Sequence, residues 1–267
     1  MKSMKLYSDV HRIYKELAAL GIGPDQPLRV DQLTPFDQYH YDGTAAVDAA
    51  LAVFSLADGA KVLDIGSGIG GPARYIAAQA AAQVTAVELQ ADLNAVGQDL
   101  TARCGLSGRV AHVCGNILEA ELAGGFDAII SMLCMLHIPD KAALFAACRA
   151  LLKPRGVMYI EDFARARAVS AAEADDLAVK VQCRDLPTAP DYAAQLRAAG
   201  FGDVALMDVT ADWTRVASDR AAAAKASHAR NVAIHGADTV AGLEDFYDAV
   251  AGLWQGGALT GLKIVAR

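Results

Sequence analysis

The chain has no dense patch of basic residues and no long apolar segment free of charge. Its 267 residues carry 24 Lys and Arg against 31 Asp and Glu, which gives a net charge of −7. Nucleic-acid binding needs clustered Lys and Arg, so this balance argues against a nucleic-acid substrate. No uncharged apolar stretch reaches about 18 residues, the length expected of a membrane-spanning helix. We therefore expect neither nucleic acid nor a membrane among its partners.

Cysteine is scarce and lacks metal-binding spacing. The five cysteines are odd in number and include no Cys-x-x-Cys pair, so we predict reduced thiols and no metal site. The first residues, Met-Lys-Ser-Met-Lys, are not followed by the apolar stretch that a secretory signal requires. The expected location is the cytoplasm.

Apolar residues are abundant and follow a strand–helix alternation. At 54% hydrophobic residues the chain can fill a large core. Strands are predicted over residues 61–64, 83–89, 109–114, 126–131, 157–160, 203–209 and 258–266. Helices are predicted over residues 6–20, 43–57, 140–152 and 191–199, with mainly two helices over 212–257. This order predicts an α/β fold with a mostly parallel sheet.

The chain divides into an amino-terminal helical segment and a sheet domain. We assign residues 1–57 to the first and residues 58–267 to the second, with insertions at about 164–190 and 212–257. The first insertion is polar and alanine-rich, and it interrupts the alternation of strands and helices.

The most informative segment lies at the end of the first strand, where Asp64 is followed by Gly66, Gly68 and Gly70 before a helix begins at Pro72. A parallel strand, a glycine turn and a helix together form a small-ligand pocket at the carboxyl end of a sheet. Glycine permits positive φ and lets a ligand approach the backbone, and proline suits the first helical turn. The segment predicts a nucleotide-like ligand.

Two cofactors fit this turn. Gly66-x-Gly68-x-x-Gly71 satisfies the dinucleotide pattern GxGxxG. The same residues satisfy Asp-x-Gly-x-Gly-x-Gly, which resembles the first motif of S-adenosylmethionine (SAM) methyltransferases. An acid at Asp64 suits the ammonium group of SAM and would repel a pyrophosphate, which favours SAM. A NAD(P) oxidoreductase is the alternative.

Two later strand ends carry polar residues. Glu88 ends the second strand, where a carboxylate can accept both ribose hydroxyls, but a NAD enzyme would show the same acid. Asn116 and Ile117 follow the third strand, at the place where methyltransferases put a polar residue near the adenine amine and an apolar one against the ring.

Three further segments narrow the resemblance: Asp-Gln-Tyr-His-Tyr-Asp-Gly at 37–43, Cys-Met-Leu-His-Ile-Pro-Asp-Lys at 134–141 and Leu-Leu-Lys-Pro-Arg-Gly at 151–156. With them the chain resembles the class I SAM-dependent small-molecule methyltransferases, above all the sarcosine/dimethylglycine N-methyltransferases and more distantly the phosphoethanolamine N-methyltransferases. The resemblance implies a Rossmann-like fold with a mostly parallel seven-stranded sheet, an amino-terminal helical lid, SAM as cofactor, a small-molecule methyl acceptor, and a monomer or homodimer.

The resemblance also implies roles for particular residues. The predicted cofactor-binding residues are Tyr14, His40, Tyr41, Asp64, Gly66, Ser67, Gly68, Gly70, Glu88, Leu89, Asn116, Ile117 and Met132. Tyr7, Tyr14 and the Tyr39–Tyr41 segment are expected to form a lid that excludes water from the reaction. The alternative is that these aromatic residues only fasten a helix to the core.

His137 and Tyr7 are the predicted catalytic pair, which would orient or deprotonate the acceptor. His137 lies just past the fourth strand, on the rim where ligands bind an open α/β sheet. A base with a pKa near neutrality would suit the reaction. The alternative is that His137 only hydrogen-bonds a backbone carbonyl.

One position departs from both N-methyltransferase families, which place Asp four residues before the histidine where this chain has Leu133. An apolar side chain there cannot pair with an ammonium group. The predicted substrate-binding residues are Tyr7, Tyr39, Leu133, His137, Phe163 and Arg184. Arg184 is expected either to meet a substrate carboxylate or to form a surface ion pair.

The expected function is SAM-dependent N-methylation of an amino-acid-derived amine such as a glycine derivative. The first alternative is C-, O- or S-methylation of a less polar metabolite, which Leu133 favours. The second is a SAM-binding protein without catalysis.

Overall fold

The computed structural model describes residues 9–267, and its centre is a seven-stranded sheet. The strands are β1 Lys61–Ile65, β2 Gln83–Glu88, β3 Val110–Cys114, β4 Phe126–Met132, β5 Leu152–Arg165, β6 Val204–Asp208 and β7 Leu259–Ala266. Their order is β3-β2-β1-β4-β5-β7-β6. Strand β7 runs antiparallel to its two neighbours, whereas the other pairs are parallel. The predicted Rossmann-like α/β fold is confirmed.

Helices cover both faces of the sheet. Within residues 9–267 they are α1 Arg12–Ala19, α2 Val30–Asp37, α3 Thr44–Phe54, α4 Gly71–Gln79, α5 Ala91–Arg103, α6 Lys141–Leu151, α7 Ala171–Val179, α8 Ala189–Ala198, α9 Thr210–Ala226, α10 His228–His235 and α11 Ala237–Gln255. Asp140 caps α6 by accepting from the backbone N–H of Ala143, and Ser170 and Thr188 form capping boxes at α7 and α8. None of these helices combines the length and apolarity needed to cross a membrane.

The core lies on both faces of the sheet because successive strand residues point to opposite sides. Ile129 of β4 packs with Phe145 of α6, whereas the next residue, Ile130, packs with Ile76 of α4. The central strands therefore read as nearly continuous apolar runs, as expected for a parallel sheet with helices on both faces.

Three predicted elements differ most from the structure, and α2, α5 and α7 were not predicted. The predicted helix over 6–20 is helical from Arg12 to Ala19, and its first residues lie outside the described part. Strand β5 begins at Leu152 because a register shift opposite β4 accommodates residues 153–156, so Pro154 does not delay the strand. Residues 212–257 contain three helices, because Ser227 ends α9 and Gly236, with φ +89°, separates α10 from α11.

Candidate active site

Two cavities meet at the carboxyl ends of the parallel strands. The smaller, about 130 Å³, is lined by the glycine turn after β1 and by residues that follow β2 and β3. The larger, about 680 Å³, lies against α1, α9, α10 and α11. Tyr39, Leu133 and His137 line both cavities. This arrangement can bring a ligand in one cavity against a ligand in the other.

The glycine turn forms one wall of the smaller cavity, and side chains could not replace its glycines. Gly66 and Gly68 have φ values of +75° and +54°. A Cβ on Gly66 would clash with Sγ of Cys134 (2.1 Å), whereas one on Gly68 would only touch the Tyr39 ring (3.8 Å), so the positive φ is what disfavours a side chain at Gly68. The chain therefore presents bare backbone to the cavity, held between Cys134 and Tyr39.

The two acids of this cavity differ in their environments. Glu88 accepts hydrogen bonds from the backbone N–H groups of Gly68 (2.9 Å) and Gln90 (2.8 Å), which fix its carboxylate. Asp64 is buried, and burial together with the charge of Glu88 raises its pKa to about 7. A positively charged ligand beside Asp64 would favour the ionised carboxylate and lower this pKa.

Unpaired buried atoms indicate what the smaller cavity can hold. Oδ2 of Asp64 and Oγ of Ser67 have no hydrogen-bond partner among the described residues, and both residues line the cavity. Because buried polar atoms are normally paired, these two call for a polar ligand. The amino group and ribose of SAM, the cofactor that the sequence predicts, match this donor and acceptor set.

Most of the predicted cofactor-binding residues line this cavity. They are His40, Asp64, Gly66, Ser67, Gly68, Glu88, Leu89, Asn116, Ile117 and Met132. Asn116 also stabilises its own turn, because Oδ1 accepts from the backbone N–H of Leu118 (3.1 Å). The contacts of these side chains with a cofactor are still predictions.

Three predicted cofactor-binding residues lie elsewhere. The Tyr14 hydroxyl donates to Asp99 (2.8 Å) and ties α1 to α5. Gly70 has φ +80° and precedes α4, where a Cβ would lie 2.8 Å from the His112 ring. Tyr41 lines the larger cavity. Of the residues described, these three do not line the smaller cavity. For Tyr14 and Tyr41 the reason is that α1 and residues 37–41 pack at angles that local sequence does not specify, whereas the Cβ position of Gly70 faces His112.

The segment before the sheet lies directly on the glycine turn. The Asp37 carboxylate and the Arg74 guanidinium form a fully buried ion pair at 2.9 Å. A Cβ on Gly71 would lie 2.2 Å from the Asp37 carbonyl oxygen. The Arg12 guanidinium lies 5.6 Å from the centroid of the Tyr39 ring. These contacts hold Tyr39 at the junction of the two cavities.

His137 ends a short 3-10 turn, Met135–His137, that follows β4. Its Nδ1 donates to the carbonyl of Gln182 (3.2 Å), so the neutral ring keeps its lone pair on Nε2. Burial lowers the pKa of His137 to about 4, with a smaller contribution from the Lys141 charge. This value lies below the near-neutral pKa that would suit a base, because the ring is desolvated, and the catalytic role of His137 stays a prediction. Tyr7, its predicted partner, lies outside the described residues.

Two side chains, Asp162 and Lys141, stabilise the turn that carries His137, and the sequence analysis assigned neither of them a role. Asp162 accepts from the Tyr192 hydroxyl (3.0 Å) and from the backbone N–H of Leu136. Lys141 donates to the carbonyl of Ile138 (2.6 Å). The available signal was a pair of acids, Glu161 and Asp162, directly after the predicted strand over 157–160.

Leu133 joins the two cavities in an unusual backbone conformation. Its φ is +51°, and its N–H donates to the carbonyl of Glu161 (2.7 Å). Left-handed φ is uncommon for leucine and marks a strained position. Its side chain packs beside Leu136 and Phe163, so the junction is apolar on this side. Phe163 lines the larger cavity, whereas Arg184 is exposed and lines neither cavity described.

Tyr41 and Phe163 line the larger cavity as its floor and belong to an aromatic cluster. It consists of Tyr41, Phe163, Trp213 and Trp254. The Tyr41 hydroxyl accepts a hydrogen bond from Nε1 of Trp254 (3.1 Å). Sequence reasoning missed both tryptophans, although they are the only two in a chain with 6% aromatic residues.

Comparisons with known proteins agree with this geometry. Residues 39–206 match the family described as a methyltransferase domain. The chain is 34% identical over 163 residues to phosphoethanolamine N-methyltransferase 1 of Arabidopsis thaliana, which covers 61% of this chain and 33% of that protein. It is 37% identical over 113 residues to the ubiquinone biosynthesis O-methyltransferase of Xanthomonas axonopodis pv. citri (strain 306), which covers 42% of this chain and 47% of that protein. The matches thus span about a third to a half of these relatives.

A solved structure extends the fold comparison to nearly the whole chain. Phosphoethanolamine N-methyltransferase 2 of Haemonchus contortus, in complex with phosphomonomethylethanolamine and S-adenosylhomocysteine, superposes with a TM-score of 0.80. The match covers 98% of this chain and 58% of that chain at 21% identity. At this identity the likeness concerns the fold alone.

Proposed function

This chain belongs to the methyltransferase domain family, and we propose that it is a SAM-dependent methyltransferase that methylates a weakly polar metabolite beside His137. The observation that carries this proposal is the junction of the two cavities at Tyr39, Leu133 and His137. The polar lining of the smaller cavity suits the amino acid and ribose groups of the cofactor, and the larger cavity suits the acceptor.

The cofactor contacts follow from the polar atoms of the smaller cavity. Asp64 and Ser67 would meet the amino acid part, Glu88 would meet the ribose hydroxyls, and Asn116 with Ile117 would flank the adenine. When bound, SAM supplies a methyl group on a positively charged sulfur. The protein then contributes orientation and exclusion of water, which account for much of the rate when two reactants are held together.

His137 is proposed to orient the acceptor rather than to store a proton. Its pKa of about 4 keeps the ring neutral near pH 7. Nε2 can then accept a hydrogen bond from an O–H, N–H or S–H group of the acceptor and point the nucleophilic lone pair toward the smaller cavity. Tyr7 is proposed to assist it on the ground of the sequence resemblance.

Leu133 supports a less polar acceptor methylated on carbon, oxygen or sulfur. It stands where the N-methyltransferase families place an amine-binding Asp, and the neighbouring Leu136 and Phe163 are apolar. The second candidate is N-methylation of an amino-acid-derived amine, which the similarity to a phosphoethanolamine N-methyltransferase supports.

The remaining proposals concern the setting of the enzyme. Residues 1–57 are proposed to act as a lid, supported by the contacts of Asp37 and Tyr39 with the glycine turn. A monomer or homodimer in the cytoplasm is proposed, in keeping with five unpaired cysteines.

The proposal is tested by incubating the protein with SAM labelled in its methyl group and a metabolite extract. The label is expected in one metabolite or a few related metabolites, read by mass spectrometry. Tight SAM binding without any labelled metabolite would favour a non-catalytic SAM-binding protein. Thermal denaturation with SAM and with NAD separates the oxidoreductase alternative, because only a bound ligand raises the melting temperature.

The role of His137 is tested with His137→Gln against His228→Gln, a change at an exposed histidine that lines neither cavity described. We expect turnover to fall about 100-fold or more in His137→Gln, with little change in S-adenosylhomocysteine affinity by calorimetry. Equal losses of turnover and affinity would make His137 a cofactor or packing residue.

A further inference from the structure

The larger cavity contains a cation, Arg220, that forms no ion pair with an acid of the described residues. Arg220 of α9 is half-buried, and its guanidinium lies 5.0 Å from the centroid of the Tyr41 ring. One of its N–H groups donates to the carbonyl of His40. Within residues 9–267 no carboxylate pairs with Arg220. A guanidinium has five N–H donors, so most of its hydrogen-bonding capacity is available to a ligand.

The acids that line the same cavity are engaged elsewhere. Asp9 pairs with Lys15, Glu16 with Arg230 and Asp245 with Lys180, and Glu244 shares a hydrogen bond with His228. Asp238 lies in the first turn of α11, where the helix dipole favours a negative charge. The positive charge of Arg220 is therefore not cancelled by a neighbouring ion pair.

Arg220 lies beside an apolar floor. The Tyr41 ring, on which its guanidinium lies, stacks with Phe163 at a centroid distance of 6.0 Å. Phe163 belongs to the cluster that includes Leu133 and Leu136, and Leu133 reaches the cavity junction. Tyr41, Phe163, Leu133 and Leu136 thus form an apolar floor in a cavity that Arg220 and His137 also line. Its volume of about 680 Å³ suits a drug-sized ligand.

We propose that the acceptor is an apolar or aromatic molecule with an anionic group, and that Arg220 binds this group. The inference rests on the proposed function and adds the substrate class. A wholly apolar ligand would leave the guanidinium without a counter-charge, and a small zwitterion would leave the aromatic floor uncovered. A carboxylate or a phosphate monoester matches the planar fork of arginine through two parallel hydrogen bonds.

The test measures binding without methyl transfer. Protein saturated with S-adenosylhomocysteine is titrated with 1-naphthoate, 1-naphthyl phosphate and the neutral 1-naphthamide, followed by calorimetry and tryptophan fluorescence. Fluorescence reports on the floor because Trp213 lies 5.1 Å from the Tyr41 ring. At least one anion is expected to bind about tenfold or more tightly than the amide, the factor that a charge-assisted hydrogen bond supplies. Carboxylate and phosphate are distinguished by which probe binds more tightly.

Variants assign the preference to Arg220. Arg220→Gln is expected to abolish the preference for the anion while keeping a donor for the His40 carbonyl, and Arg220→Lys is expected to retain part of it. The control is Arg215→Gln on the same helix, an exposed residue paired with Asp219 that lines neither cavity described, which should behave as wild type. Binding of S-adenosylhomocysteine and the melting temperature verify the fold of each variant.

Three results would overturn the proposal: equal affinity of wild type for anions and amide, an unchanged preference in Arg220→Gln, or no binding of any probe. Failure of the proposed function would give a different experimental result from failure of this inference. A wild-type protein that does not bind S-adenosylhomocysteine refutes the cofactor site, whereas normal cofactor binding without anion preference refutes only the role of Arg220.

Discussion

Asp37 and Arg74 form an ion pair in which both side chains are 0% exposed, with Oδ2 and Nη2 at 2.9 Å. Arg74 also donates to the carbonyl of Ile69 in the glycine turn (2.7 Å). The pair therefore joins the segment that carries Tyr39 to the turn and to α4, which begins there. We call residues 37–41 the roof of the smaller cavity, because Asp37, Tyr39 and His40 line it. Since a buried charge without a partner is costly, the position of this roof depends on the Asp37–Arg74 ion pair.

Asp37→Asn is expected to destabilise the protein strongly. It leaves the Arg74 guanidinium buried without a counter-charge, which costs about 3–5 kcal/mol of unfolding free energy. Urea denaturation measures the change. Asp31→Asn is the matched control, because the Arg29–Asp31 pair is 69% exposed on both sides and surface pairs contribute little. Similar losses in the two variants would disprove the anchoring role.

Gly71→Ala is expected to displace the roof. The new Cβ would lie 2.2 Å from the backbone oxygen of Asp37, so the 37–41 segment must move, and we expect S-adenosylhomocysteine affinity to fall about tenfold by calorimetry, or about 1.4 kcal/mol. Gly252→Ala in α11 is the control, because a Cβ there meets nothing within 4 Å and alanine favours helix. Unchanged affinity in Gly71→Ala would show that the position of residues 37–41 does not affect cofactor binding.

His137 is expected to stay neutral well below pH 6. Its folded pKa, about 4, lies under the ordinary value of 6.5 because the ring is desolvated. Below pH 6.5 the unfolded chain takes up a proton that the folded protein does not, so the unfolding free energy falls as pH drops from 6.5 to 4.

The measurement is an NMR titration of histidine ring carbons, with the signal of His137 assigned by its loss in His137→Gln. The unfolding free energies of wild type and His137→Gln are also measured at pH 7 and at pH 5. Between these pH values wild type is expected to lose about 1–2 kcal/mol more than His137→Gln, which lacks the titrating ring. A midpoint near 6.5 would refute both the desolvation and the orienting role argued from it.

Leu133→Asp is expected to shift acceptor preference toward amines. A carboxylate at the junction would pair with an ammonium group, whereas Leu133→Asn offers the same shape without the charge, and both residues tolerate positive φ. For each variant, kcat/KM for sarcosine is divided by kcat/KM for the native acceptor. We expect this ratio to be about tenfold higher in Leu133→Asp than in Leu133→Asn. Equal ratios would mean that position 133 does not contact the acceptor.

The sequence by itself determined the elements whose signals are local. The glycine turn after β1, the acid at the end of β2 and the alternation of strands and helices predicted the sheet and its cofactor edge, because each depends on neighbouring residues and on periodicity. The same locality explains why ten predicted cofactor residues line one cavity.

The tertiary structure decided what lies over that edge. Tyr14 and Tyr41 have the same residue type and were given the same role, yet one bonds Asp99 and the other lines the larger cavity beside Arg220. The positions of α1 and α9 depend on contacts between residues far apart in the chain, such as Glu16 with Arg230 and Tyr41 with Trp254. Such pairings have no periodic signature, because they arise only when the helices pack.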